Sequence, residues 1–458
     1  MAVGELLNST GRRHLEIRSP FDGSPVGSLP VATEREVADA LVAARRAFPG
    51  WARTPAAERG AALHAAATAL RERADDLAEV NRAETGKPAD DARGGVLAGA
   101  STLDQYAELG PLRGGRTLLG DRGATDFAVP EPRGVVVVLS PWNDPVAVAC
   151  GLLGAALVTG NTAVHKPSER CPRTGQLLHE VLAPHVPDDV LRHLVGDAPV
   201  GEALCASGDV DLVAHVGSTA AGRAVAARAA ATGAKVLLEN GGNDALIVDA
   251  GVDPLWAAEQ AALGAFANAG QICTSVERIY VHRAVAEDVT RALVELAGRW
   301  SQPLVDRRHR EHVHSHVADA VDHGARVLTG GAVPDGPGSH YPATVLAGCT
   351  PTMLVLREET FGPVAPIRVV PDFAAGLAEA CADEYGLAAT VLTDSTAHAQ
   401  EAWRALPVGT VKINAVFGGA PGGAAQPRRA SGSGYGYGPE LLDEMTTTKV
   451  VHWEPPCP

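Results

Sequence analysis

No CxxC pair occurs among the seven cysteines of this 458-residue chain. An odd count without that spacing argues against a disulfide framework and a structural zinc site, and for a reducing compartment. A long basic run is missing too. With 39 basic against 54 acidic residues the formal charge is −15, so nucleic acid and anionic membranes are not expected partners. The longest uncharged stretch, Pro145 to His165, contains three glycines, two threonines and an asparagine. It reads as a buried helix followed by a strand rather than a membrane span. Glu5 stands where a secretory leader needs basic and then apolar residues, so a cytoplasmic location is expected. Internal repeats, low-complexity linkers, GxGxxG and HExxH are all lacking. Of sixteen histidines, His312 and His316 are spaced to share a helix face, with His309 and His314 close by. They read as a solvated surface group, and no metal is expected.

The residue around which the chain is organised is Cys273. Pro254 to Ala269 reads as a helix, with Leu255, Ala258, Ala262, Ala265 and Phe266 at helical spacing and Gly270 to end it. Arg278 to Val281 reads as a strand. Cys273 therefore falls in a turn between two rigid elements, a mounting that suits a nucleophile, although a lone free cysteine is ordinarily a small core residue.

Upstream, alanine-rich helices run to about Thr85. The continuous apolar run Gly134 to Leu139 then marks a strand buried on both faces of a parallel sheet. It ends at Ser140-Pro141-Trp142-Asn143-Asp144-Pro145. Further strands, Thr162 to His165, Leu212 to Val216 and Val236 to Leu238, deliver Lys166-Pro-Ser168-Glu169, Gly217-Ser218-Thr-Ala-Ala-Gly222 and Glu239-Asn-Gly-Gly242. Strands alternating with helices imply a doubly wound α/β sheet with ligands at the strands' carboxyl ends. Glycines at 217 and 222 would let a backbone approach a pyrophosphate at a helix N-terminus. Lys166 with Glu169 would grip a ribose, or form an exposed ion pair. Glu239 would serve as a general base, or cap a surface turn.

Taken in order with Gly270-Gln-Ile-Cys273 and Glu358-Glu-Thr-Phe-Gly-Pro-Val364, these motifs closely resemble the aldehyde dehydrogenase superfamily across nearly the whole chain. Glu84-Thr-Gly-Lys87, Tyr385 to Ala389 and Asn414 resemble further landmarks. The resemblance implies two doubly wound α/β domains, for cofactor and catalysis, plus a small β oligomerisation arm. It divides the chain into 1–113 with 133–240 for cofactor, 241–433 for catalysis, and 114–132 with 434–458 as arm and tail. It implies NAD(P)-dependent oxidation of an aldehyde to an acid, with Cys273 forming a thiohemiacetal and then a thioester, Asn143 holding the oxyanion and Glu239 activating water. By resemblance the cofactor contacts are Ser140, Pro141, Trp142, Lys166, Ser168, Glu169, Gly217, Ser218, Gly222, Glu359 and Phe361. Glu169 opposes a 2′-phosphate, so NAD is expected over NADP. A homodimer or homotetramer is implied, with Thr447 to His452 suited to pairing at a sheet edge.

The sequence also departs from the family pattern. Asp144 stands where an aromatic residue is common, and Ala147, Val148, Gly151 and Ala267 are small at tunnel positions that also include Ile272 and Thr274. A wide tunnel for a bulky or polar aldehyde follows, with Asp144 near its base or merely capping a helix. The loop Ser301 to Arg310 is short and basic, and Gly422 to Gly432 replaces a familiar loop. Within it Arg428 and Arg429 would meet an acidic substrate or be solvated. Asn240 and Asn243 replace the usual leucine and lysine. Cys150, Cys171, Cys205, Cys349, Cys381 and Cys457 match no motif. Glu239 argues against a CoA-acylating enzyme. The absence of a histidine at any matching motif argues against a thiol hydrolase. The retained Cys273, Glu239 and Asn143 argue against a catalytically silent binding protein.

Overall fold

The computed structural model describes residues 5–7, 11–420 and 423–456; Cys457 and Gly422 lie outside them. The helices α1 (Ala74–Thr85) and α2 (Ala89–Leu109) precede an antiparallel arm strand, β1 (Thr125–Pro132). The cofactor-side sheet then forms from β2 (Val135–Ser140), β3 (Thr162–Pro167), β4 (Leu212–Val216) and β5 (Lys235–Glu239). Its spatial order is Gly432–Ser433, β5, β4, β2, β3, Leu191–His193, parallel throughout except for Gly432–Ser433. All six residues of β2 are buried, as a strand sandwiched between helix layers must be. The helix α3 (Pro145–Val158) crosses between β2 and β3 with twelve of its residues buried, and Pro145 occupies the first turn, where its missing N–H is harmless.

The chain changes sign at β2: it proceeds outward to β3 and Leu191–His193, then returns to the other side of β2 for β4. Such a switch point opens a crevice at the strand ends. The helix α4 (Pro172–Leu182) follows β3, and α5 (Thr219–Thr232) follows β4.

The catalytic-side sheet has seven strands, with β6 (Asp244–Val248) and β7 (Val276–His282) paired in parallel at its centre and β8 (Thr410–Ile413) at one edge. Between β6 and β7 runs α6 (Pro254–Phe266). It stops three residues before the Ala269 limit read from the sequence, because Asn268 and Ala269 take left-handed conformations (φ 50° and 56°). Alanine spacing continues the helical stripe through this point; it carries no signal for the reversal of φ.

The last strand, β9 (Thr446–Trp453), pairs antiparallel with β1 along eight residues to make the arm sheet. The expected boundary at 433 shifts, however. Gly432–Ser433 pairs with β5, and Leu441, Leu442 and Met445 are buried in the core around α3. Residues 432–445 thus pack on the cofactor-side domain, and the tail proper begins at Thr446.

A buried carboxylate fastens α1 to α4. Glu84 accepts from the N–H groups of Arg173 (3.0 Å) and Thr174 (2.8 Å) and from the Thr174 hydroxyl (2.6 Å), serving as a cap supplied from another helix. Burial pushes its pKa up to about 7. Glu84→Ala strands those donors in a dry site, and urea unfolding is expected to show a loss of about 2–3 kcal/mol. Since the pKa is raised on folding, Glu84's contribution is complete below the ordinary carboxylate range. The gap between wild type and variant should narrow as pH rises through about 7.

Candidate active site

The ends of β2, β3, β4 and β5 face the segment joining α6 to β7, and one cavity of about 1100 Å³ lies between them. Its lining includes Ser140, Pro141, Trp142, Asn143, Lys166, Ser168, Glu169, Gly217, Ser218, Glu239, Cys273, Glu359 and Phe361. Residues far apart in the chain are thereby brought to one space.

The loop that carries Cys273 is tightly latched. After the left-handed pair, Asn268 Nδ2 donates to Gln271 O (3.2 Å) and Gln271 Nε2 donates back to Asn268 O (2.9 Å). Val305 N–H donates to Gln271 Oε1 (2.9 Å), so the short loop after Trp300 clamps the same glutamine. Ser275 Oγ donates to Gly270 O (3.0 Å). Left-handed alanine is strained and persists only when its surroundings over-determine it. Cys273 is thus presented to the cavity on a fixed backbone, exposed to that space.

The field around the thiol is acidic. The protein packed about Cys273, followed by Glu239, Asp244 and Glu359, pushes its pKa up to about 12, with Lys412 opposing. Asn143 Nδ2 donates to Gln271 O (3.1 Å), which leaves its second N–H for a ligand beside the thiol. Glu239 lies half-buried at the wall, accepts from Gly436 N–H (3.0 Å), and has its pKa pushed up to about 7 by burial. That value matches the requirement for a base at neutral pH. Asn240 does not disturb it. Its side chain donates to Ala430 O (3.0 Å).

The cofactor half is equally built. Lys166 is no exposed ion pair: its buried ammonium donates to Pro167 O and Gly196 O (both 2.9 Å), which leaves one N–H for a ligand. Ser218 caps α5, accepting from Ala221 N–H (3.3 Å). Trp142 packs edge-on against Phe361 at 5.5 Å across the domain boundary. Phe361 has a left-handed backbone (φ 53°), held because Glu277 accepts from the N–H groups of Thr360 (3.1 Å) and Phe361 (2.9 Å). Glu359 is turned to the cavity, accepts from Gly242 N–H (3.0 Å) and has its pKa pushed up to about 8 by burial. A cavity of this size, with a helix N-terminus, a free lysine N–H and two rings, fits a dinucleotide.

Several expectations need correction. Gly222 stands outside the lining, and a side chain there would strike Asn240 Oδ1, so its smallness serves helix-to-strand packing. Among the tunnel residues Asp144, Val148, Ala267 and Ile272 line the cavity, whereas Ala147, Gly151 and Thr274 do not. Asp144 occupies the N-cap position of α3 but makes no cap bond; its carboxylate takes a hydrogen bond from Lys87 Nζ instead (2.9 Å). His309 and His316 are buried rather than solvated, on α7 (Arg307–Asp322). His309 Nε2 meets Phe361 O at 2.7 Å and its ring packs on Trp142, while His316 Nδ1 meets Thr360 Oγ1 at 3.2 Å. No group of three or more potential metal ligands occurs among the described residues. Arg429 donates to the carbonyls of Cys381 and Asp383, and neither it nor Arg428 lines the cavity. Glu277 gives no signal in the sequence, because it acts through the backbone N–H groups of Thr360 and Phe361, more than eighty positions away.

The family model described as the aldehyde dehydrogenase family matches residues 7–451. The chain belongs to this family. It is an NAD(P)-dependent aldehyde dehydrogenase, and it oxidises aldehydes. The chain is 34% identical over 425 residues to succinate-semialdehyde dehydrogenase [NADP(+)] of Escherichia coli, covering 90% of this chain and 88% of that one. To 3,6-anhydro-alpha-L-galactose dehydrogenase of Streptomyces coelicolor it is 33% identical, covering 98% and 95%. The crystal structure of an NAD-dependent aldehyde dehydrogenase from Sinorhizobium meliloti superposes with a TM-score of 0.94 at 32% identity, covering 99% and 94%. No helix among the enzyme's described residues is long and apolar enough to cross a membrane.

Proposed function

We propose that the enzyme converts its aldehyde to a carboxylic acid on Cys273, with Asn143 and Glu239 as its two other catalytic groups. The observation that carries this reading is the convergence of all three on one cavity with the cofactor-side strand ends. Cys273 gives up its thiol proton to water in the cavity, and its Sγ attacks the carbonyl carbon as thiolate to give a thiohemiacetal. Its oxyanion takes hydrogen bonds from the free N–H of Asn143 Nδ2 and from the Cys273 backbone. A bound NAD would supply the hydride acceptor for the thiohemiacetal carbon, which would leave a thioester on Cys273. Glu239 takes a proton from water as the water adds to the thioester carbon; the C–S bond breaks and the acid departs.

Lys166, Ser168, Glu169, Gly217, Ser218, Glu359 and Phe361 hold the cofactor in this reading. Glu169 favours NAD, since its carboxylate opposes a 2′-phosphate. In Glu169→Ser the ratio of kcat/KM with NADP to that with NAD should rise about tenfold or more, one to a few kcal/mol of relieved like-charge contact. An unchanged ratio would remove Glu169 from the selection.

The substrate in this reading is bulky or polar, consistent with the small residues Val148 and Ala267 at the cavity wall. The relatives named above act on a semialdehyde and on a sugar derivative, so both classes belong in the assay. NAD reduction is followed with acetaldehyde and with aromatic, long-chain, amino, semialdehyde and polyhydroxylated aldehydes. Tight turnover of acetaldehyde with poor turnover of every large aldehyde would sink the wide tunnel, and no oxidation with either cofactor would sink the whole reading.

A cytoplasmic homodimer or homotetramer completes the proposal. The outer edge of β9 pairs with no strand among the described residues, with Val450 and Trp453 exposed, and β8 is an edge strand of the catalytic-side sheet. Strand addition between subunits satisfies such edges. Light scattering of the purified protein gives the assembly size.

A further inference from the structure

We infer that Lys87 and Asp144 together select the substrate of this enzyme, and that they favour neutral aldehydes carrying hydroxyl groups. The inference rests on Cys273 as the nucleophile and deepens that reading.

The pair stands beside the chemistry. Asp144 follows Asn143, whose side chain reaches Gln271 O, two residues from Cys273. Lys87 Nζ donates to Asp144 Oδ1 (2.9 Å) and to Asn143 O (3.2 Å). The Lys87 side chain is only 10% exposed while that of Asp144 is 39% exposed, and both line the cavity. The ion pair is therefore a component of the tunnel wall, on the side formed by α2 and the start of α3. Two of the three Lys87 N–H groups are used, and Asp144 Oδ2 takes no hydrogen bond from the protein among the described residues. One donor and one acceptor are left side by side.

Room for this pair is reserved in the sequence. Gly95 on α2 also lines the cavity, and a Cβ there would lie 2.6 Å from Asp144 Oδ1 and 3.9 Å from Lys87 Nζ. One turn along α3 from Asp144 the wall continues with the apolar Val148.

A hydroxyl group both donates and accepts, and it satisfies Asp144 and Lys87 together. An alkyl chain leaves both without a partner in a partly dry wall, which costs affinity. A carboxylate tail is disfavoured, because the oxygen of the pair that is left open, Asp144 Oδ2, meets it as a like charge. A cationic tail finds the carboxylate beside Asn143 already neutralised, with an ammonium next to it.

The test compares kcat/KM with NAD for aldehydes of matched length: glyceraldehyde against propanal and erythrose against butanal, with succinic semialdehyde and betaine aldehyde as charged probes. The wild-type enzyme is expected to prefer the hydroxylated partner in at least one pair by about tenfold or more. It should also prefer it to both charged probes. Asp144→Asn keeps the shape and removes the charge, and Gly95→Ala keeps both charges and displaces them. In each variant the hydroxylated-to-plain ratio should fall by about tenfold, with most of the change in KM. A preference for plain or charged aldehydes overturns the inference, as does a ratio unmoved in both variants. Oxidation of propanal without any hydroxyl preference would overturn this inference and leave Cys273 in place. If the wild type oxidises nothing, the Cys273 reading fails and this inference falls with it.

Discussion

Replacing Cys273 by alanine should lower turnover of every aldehyde by at least about four orders of magnitude, the scale on which a lost nucleophile acts. The remaining oxyanion donors have nothing to stabilise once the covalent adduct cannot form. Fluorescence titration with NADH separates this outcome from a collapsed cavity, because the proposed cofactor contacts lie on other elements. A variant that binds NADH but retains more than about a hundredth of the activity would exclude Cys273 as nucleophile. The thiol's surroundings add a second readout. With its pKa pushed up to about 12 by the protein walls around the cavity it faces and by neighbouring carboxylates, the free enzyme holds a thiol at neutral pH. Alkylation by iodoacetamide should therefore be slow at pH 7 and accelerate with rising pH over the whole stable range. Added NAD should accelerate it at fixed pH.

Glu239→Gln is expected to separate the two halves of the reaction. Acylation needs no hydrolytic base, so rapid mixing should still release about one NADH per active site. Steady-state turnover should then fall by about two to four orders of magnitude, the range for loss of a positioned base. The pH profile carries the same signature. A carboxyl group with its pKa near 7 acts as base only when ionised, so wild-type hydrolysis should rise through about pH 7 and level off above it. The glutamine variant should lose that inflection. A burst that disappears along with turnover would place Glu239 before the thioester instead.

The parts of this molecule legible in its sequence are those whose signal is local. Val135–Ser140 is buried on both faces and reads as an unbroken apolar run; the motifs at Lys166, Ser218, Glu239 and Cys273 sit at strand or helix ends, where a change of pattern marks them. What escaped was non-local. The left-handed turn at Asn268 and Ala269 is imposed by hydrogen bonds to Gln271, not by a glycine. His309 and His316 look solvated in a helix rich in charge, yet the face they share meets the loop of Thr360 and Phe361. Asp144 has the identity and position of a helix cap, but Lys87, 57 positions earlier in the chain, takes its carboxylate. Residues 432–445 left the tail for the cofactor side because three apolar side chains found a core there.

That return of the chain also bears on how ligands come and go. The chain passes from the cofactor side to the catalytic side just after Glu239, and it comes back at Gly432, which is the residue paired with Glu239 across the sheet. A hinge opening of the two domains would be centred beside the proposed base, with Glu239 and Gly436 carried together on the cofactor side. The cavity offers another route, because exposed residues of its lining stand on two separate helices: Asp90, Asp91 and Gly94 on α2, Ala224 and Arg228 on α5, with Glu202 paired to Arg228. The dinucleotide and the aldehyde can each use their own door while the frame between them stays shut.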